Sequence, residues 1–346
     1  MDNPLYLDHA ASAPLHPAAL DALVEGHAIW ANPSSPHAPG RAVRAALEDA
    51  RERVKAALGW DGELIFTSGA TEALAIALGR CRLPLVAVSA VEHEAVLRLA
   101  GEAAVLPVDR AGRIDSEAAA LAGLVTIQQV NSETGVIQPL GEIVTAVRAA
   151  GGLLLADCAQ GAGKLDLPPA DLIAIAAHKF GGPIGIGALL LRDWSLLSPS
   201  GGQEHGYRPG TEAMPLARAM AAALEAGHGW LDEAARLRAQ LEHGIVAAGG
   251  SVIAAEADRI ATIGAYVMPG MSSAAQLIRF DGMGIAVSAG SACSSGSMKP
   301  SHVVAAMGID GGGEMIRVSI GRDTTQDHIE RFLGAWREVA GSRRAA

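Results

Sequence analysis

Residues 171–191 read DLIAIAAHKFGGPIGIGALLL, from Asp171 to Leu191. The run LIAIAA has no polar alternation, which is the pattern of a strand buried on both faces. His178 and Lys179 follow it directly. A glycine-rich turn then leads into a second apolar run, GIGALLL. The same unit recurs upstream. GELIFTS, LPLVAVS, AAVLPVD, GLVTIQQVN and GLLLADC are short apolar runs, and EALAIALG and LGEIVTAVRAAGG between them carry apolar residues at helical spacing. Continuous apolar strands separated by helices predict an α/β protein whose central sheet is mostly parallel and covered on both faces.

The pattern changes near Met214. MPLARAMAAALEAGHGWLDEAARLRAQLEHGIVAAGG is helical, with a break at Gly227–Gly229. Beyond it SVIAAEA, IATIGAYVMP and EMIRVSIG read as strands, and SAAQLIRFDGMG and TQDHIERFLGAWREVA as helices. We therefore expect a large domain over residues 14–230. A smaller α+β domain is expected over 231–346, joined by residues 1–13.

The bulk properties narrow the function. The chain has 346 residues, 27 Lys and Arg against 37 Asp and Glu, and a formal net charge of −10. Phosphate neutralisation needs clustered cations, so a nucleic-acid partner is not expected. No apolar run is long enough to span a bilayer, and the start MDNPLYLDHAASAP lacks the basic and apolar regions of a signal peptide. The three cysteines, Cys81, Cys158 and Cys293, are odd in number and widely spaced, which predicts neither a disulfide framework nor a metal site. A reducing cytoplasm is the expected compartment.

Four segments carry chemistry, each with an ordinary alternative. In FTSGATEALAIALG, Gly69-Ala70-Thr71 lie between a strand and a helix, where free N–H groups and a hydroxyl form an anion site; a plain turn is the alternative. In LLLADCAQGAGK, Asp157 ends a strand, where α/β sheets bind ligands, and Gln160 follows; Asp157 could equally be a helix cap. Lys179 is either a solvated surface lysine or a partly desolvated amine able to form a Schiff base. His93 in SAVEHEAVL is either a half-buried histidine or a plate over a ring that also moves protons. An anion site, a strand-end carboxylate and a lysine in a glycine-rich turn agree with one another better than with three separate ordinary readings. A further segment, VSAGSACSSGSMKPSHV, places Cys293 in a serine- and glycine-rich loop, unlike the apolar setting of a packed cysteine.

With these in place, the sequence resembles the class V, fold-type I pyridoxal-phosphate enzymes, and within them the cysteine desulfurases of the NifS/IscS kind. The resemblance runs through YLDHAASAP, NPSSPHAPGR, FTSGATEA, VEHEAV, NSETGVIQP, DCAQGAGK, HKFGGPIGIG, GGQEHGYRPGT, SAGSACSSG with PSHV, and IRVSIGRDTT, in that order. It implies a pyridoxal 5'-phosphate cofactor held covalently by Lys179. Asp157 would face the pyridinium nitrogen and Gln160 the ring oxygen. Ala70, Thr71 and His178 would bind the phosphate, and Thr211 the phosphate of the neighbouring subunit in a homodimer. His93 would stack on the ring, and Ser132 would stand near the cofactor oxygen and substrate. Arg317 would clamp the carboxylate of L-cysteine. Cys293 would accept the sulfur as a persulfide for a sulfur-acceptor protein, as in iron–sulfur cluster assembly, and alanine would leave. Three positions depart from the family pattern: Ala176 stands for a serine, Ser132 for an asparagine and Ile184 for a lysine. Another class V reaction, transamination or selenocysteine cleavage, and a catalytically degenerate scaffold are the alternatives.

Overall fold

The structure is a computed structural model and describes residues 4–289 and 300–342. In chain order it begins with β1 (Leu5–Tyr6), α1 (Pro17–Ala28), α2 (Ala38–Leu58), β2 (Glu63–Thr67) and α3 (Ala70–Arg80). There follow β3 (Leu85–Ser89), α4 (Glu94–Leu97), β4 (Ala104–Leu106), β5 (Leu124–Thr126), α5 (Leu140–Ala149), β6 (Leu153–Asp157), β7 (Leu172–Ala176) and β8 (Gly187–Leu191). The remainder is α6 (Met214–Glu225), α7 (Leu231–Ala247), β9 (Ser251–Val252), β10 (Ile263–Val267), α8 (Ser273–Gly282), β11 (Ile285–Ala286), α9 (His302–Ala306), β12 (Met315–Ser319) and α10 (Gln326–Gly341).

Seven strands form the main sheet in the order β2-β8-β7-β6-β5-β3-β4. Only β8 runs against its neighbours; the other pairings are parallel. The two faces divide by strand periodicity. Leu64, Phe66, Leu154, Ala156, Ile173, Ile175 and Leu190 join one core beneath α1, α2, α5 and α6. Ile65, Leu155, Leu172, Ala174, Leu189 and Leu191 join the other core, with α3 and α4. Burial on both faces explains the absence of polar alternation in LIAIAA.

The second half builds an antiparallel sheet, β12-β10-β9, and a short parallel pair, β1-β11. Its core gathers α7, α8 and α10 around Phe280, Phe332 and Trp336, with ring centroids 5.2–6.3 Å apart. Leu5 and Leu7, from the start of the chain, are buried in that same core. Three strand readings shorten. GLVTIQQVN keeps a regular ladder only over Leu124–Thr126, although Ile127 and Gln129 still donate to Leu155 and Asp157. AAVLPVD is regular only over Ala104–Leu106. SVIAAEA ends at Val252, because Ala254 turns the chain through a left-handed conformation (φ 53°).

Candidate active site

β2, β3, β5, β6 and β7 all point the same way, so the residues that follow them gather at one end of the sheet. Gly69-Ala70-Thr71 follow β2, His93 follows β3, Ser132 follows β5, Asp157 closes β6, and Lys179 stands one short turn beyond β7. Topology therefore accounts for the convergence of segments far apart in sequence.

Lys179 is mostly buried, and its Nζ donates to the carbonyls of Ala10 at 2.7 Å and Ala11 at 2.9 Å. Burial first, and the charge of Arg317 second, lower its pKa to about 8 against the opposing pull of Asp157 and Asp8. Gln160 Nε2 donates to the same Ala10 carbonyl at 2.9 Å, while Gln160 Oε1 is buried with no partner. Asp157 is 6% exposed, and burial raises its carboxyl above the usual range despite the Ala159 N–H that it accepts at 2.9 Å. A buried carboxylate with so little local compensation is suited to a cationic partner.

The anion site is a helix end without a side-chain cap. Gly69 precedes α3 at φ 153°, a conformation open to glycine, and no side chain caps the free N–H groups. A side chain on the neighbouring Gly187 would meet Gly69 Cα at 2.7 Å and Ile175 O at 2.3 Å, so strand and loop can close together only at glycine. Glu72, in the first turn, accepts from Ser68 N and pairs with Arg208 at 3.0 Å, which ties this helix to the RPGT loop. His178 Nδ1 lies 3.3 Å from Ser12 Oγ, and burial, with Lys179 nearby, lowers its pKa to about 4; the ring is neutral at ordinary pH.

His93 is exposed; its Nδ1 accepts from Ala95 N at 3.1 Å and caps α4. Arg317, on β12, is 6% exposed and donates to Asp8 at 2.7 Å and to the Ser132 carbonyl at 2.9 Å, while its Nε is buried and unpartnered. Thr211 stands apart. It is exposed and borders a surface hollow with Ile29, Trp30 and Glu212, which none of the other candidate residues borders. Cys293 lies outside the described residues. Cys158 is fully buried, and burial raises its thiol well above the ordinary value; Cys81, which closes α3, is raised by burial as well.

The sequence reading passed over several members of this site. The strap 8–13 is central: Ala10 N donates to Ser319 Oγ, Ala10 O receives Lys179, and Ala13 N donates to His178 O. Backbone carbonyls carry no sequence signature. Glu133 is buried and accepts from Ser301 Oγ at 2.5 Å, and Glu92 is buried with a carboxyl raised well above its usual range by burial. Lys164 is wholly buried, donates to Gln160 O at 3.1 Å, and is lowered by burial to about 7. A lysine inside the small-residue turn GAGK was its only cue.

These groups fit pyridoxal phosphate. A weakly basic amine can bind its aldehyde, a buried carboxylate can face its ring nitrogen, Gln160 shares the Ala10 carbonyl with that amine, and the uncapped α3 terminus can take its phosphate. The comparisons agree. Residues 5–332 match the family model described as Aminotransferase class-V. A cysteine desulfurase from Cereibacter sphaeroides is 37% identical, over 95% of this chain and 94% of its own. Among solved structures, a NifS-like protein superposes with TM-score 0.89 at 27% identity, over 98% of this chain and 100% of that one. A structure titled SspA in complex with cysteine superposes at 0.79, with 27% identity over 92% and 99%. The chain thus belongs to the class V aminotransferase family of pyridoxal-phosphate enzymes, in its cysteine desulfurase branch.

Proposed function

We propose that the protein removes the sulfur of L-cysteine, leaves L-alanine, and holds the sulfur atom as a persulfide on Cys293. The observation that carries this reading is the amine of Lys179, buried and lowered to about 8, one strand away from the buried Asp157. The relatives named cysteine desulfurase and the neighbour bound to cysteine support the choice of substrate.

In this reading Arg317 binds the substrate carboxylate, and Ser132 stands beside it through its carbonyl. Lys179 moves the proton on Cα: as a near-neutral amine it accepts it, and as an ammonium it returns it. The chemistry that pyridoxal phosphate supplies when bound is an electron sink for the charge left on Cα. When bound, the cofactor would be held by Asp157 at its ring nitrogen, by Gln160 at its ring oxygen and by Ala70, Thr71 and His178 at its phosphate, with His93 over the ring. The Cys293 thiolate attacks the substrate sulfur; the S–S bond forms as the Cβ–S bond breaks, and the carbon skeleton takes up a proton to become alanine.

The same reading includes a homodimer in which Thr211 completes the partner's phosphate site. Its support is the surface beside Thr211, where Trp30 is 86% exposed and Ile29 40%. It also includes the division into residues 14–230 and 231–346 with 1–13. A sulfur-acceptor protein, a role in iron–sulfur cluster assembly and a cytoplasmic, reducing compartment complete it. Among the described residues no helix is long and apolar enough to cross a membrane. The test is the purified protein loaded with pyridoxal phosphate and given L-cysteine. Stoichiometric alanine, with one added sulfur on Cys293 by mass spectrometry, is expected; cofactor binding without alanine release would reject the reading.

A further inference from the structure

Arg317 carries a permanent charge in a nearly closed setting, so it needs a counter-ion and acceptors for its five N–H groups. The structure gives it two acceptors: Asp8 Oδ1 at 2.7 Å and the Ser132 carbonyl at 2.9 Å. Nε is buried with no partner. An unpaired guanidinium donor at this depth is costly unless something else accepts from it.

Asp8 is fixed by its backbone. It bridges to Ser319 on β12, two residues from Arg317, and Ser319 N donates to Leu7 O at 2.8 Å. Tyr6 Oη donates to Asp8 O at 3.0 Å from the same segment. The carboxylate is thus locked to the strand that carries the arginine, and the ion pair does not depend on two flexible surface chains.

We propose that Asp8 is a positioning residue for substrate recognition. Its carboxylate holds the guanidinium by one Nη and so fixes the orientation in which the remaining N–H groups meet the carboxylate of the amino-acid substrate. The inference rests on the reading of Arg317 as the carboxylate clamp and extends it. Preference for an amino acid over the corresponding simple amine then depends on an acid that does not itself touch the substrate.

The test uses two ligands that differ only in the carboxylate, L-alanine and ethylamine, titrated spectroscopically into the loaded enzyme. Asp8→Ala should weaken L-alanine by about tenfold or more relative to ethylamine, the scale of one charge-assisted hydrogen bond. Asp8→Asn keeps an accepting oxygen without the charge and should fall between the parent and Asp8→Ala, which covers the case in which the alanine variant folds poorly. Steady-state KM for L-cysteine should rise by more than kcat falls. Equal weakening of both ligands, or an unchanged preference in both variants, would overturn the proposal. Arg317→Gln separates the two ideas. If it keeps the preference, the clamp reading itself fails; if it abolishes the preference while the Asp8 variants retain it, only the role of Asp8 fails.

Discussion

Arg317 lies close enough to Lys179 for its guanidinium charge to act with burial in holding the Lys179 amine down to about 8. The neutral amine is the form that condenses with an aldehyde, so uptake of pyridoxal phosphate by the apoprotein should quicken as pH rises and level off above about 8. Removing the neighbouring positive charge raises the amine. Arg317→Gln should therefore move the midpoint of that profile upward, as stopped-flow uptake at a series of pH values would show. A midpoint that does not move would mean that burial alone sets it.

Borohydride reduction identifies the lysine that binds the cofactor. Among the described residues, Lys164 is buried and Lys179 mostly buried near the site, and Lys164, at about 7, is the more weakly basic of the two. Basicity alone would favour Lys164. Position favours Lys179, which leaves the strand beside Asp157, whereas Lys164 donates into the turn at Gln160. The reduced adduct is expected on Lys179 alone, and Lys179→Ala should lose both the adduct and alanine release. A peptide map with the adduct on Lys164 would reverse the assignment.

Much of this was legible in the sequence because the site hangs on strand ends. Apolar runs located β6 and β7, and with them Asp157 and Lys179. What was not legible is what those segments touch, because backbone contacts and pairings between distant stretches leave no period in the sequence. The strap 8–13 works through the carbonyls of Ala10 and Ala11. The pairing of Asp8 with Arg317 spans 309 positions and follows from β1 and β12 entering one small core, which apolar pattern alone does not specify. The shortened strand at Val252 turns on one backbone angle at Ala254.

Lys164 also makes a stability prediction. Its ordinary pKa of 10.5 is lowered to about 7 in the folded chain, first by burial and then by Lys179. Below about 7 both folded and unfolded chains hold the proton and the full penalty applies; between about 7 and 10.5 the unfolded chain binds more protons, so stability rises with pH. At neutral pH the penalty is on the order of 4 kcal/mol. Lys164→Met removes it, at the cost of a donor to Gln160 O. The variant should be the more stable near neutral pH, and its advantage should shrink steadily toward about pH 10 in paired denaturant melts. A constant gap across that range would mean that Lys164 keeps its ordinary pKa and stays charged in the folded protein.

Cys293→Ala separates carbon chemistry from sulfur chemistry. Lys179, Asp157 and Arg317 act on the Cα end of the substrate, and none of them is a sulfur nucleophile. Among the described cysteines, burial raises Cys158 well above the ordinary thiol range and raises Cys81 too, so neither replaces a reactive thiolate. The variant should bind pyridoxal phosphate as the parent does and should still change its visible spectrum on addition of L-cysteine. It should release essentially no alanine and no sulfide. Serine at the same position should not restore turnover, since a hydroxyl yields no appreciable alkoxide near neutral pH and the O–S product would hydrolyse. A small loop residue with no chemical role would instead leave alanine release untouched. Parent-like rates from Cys293→Ala would therefore mean that the Cβ–S bond breaks without Cys293 and would take the persulfide step away from this residue.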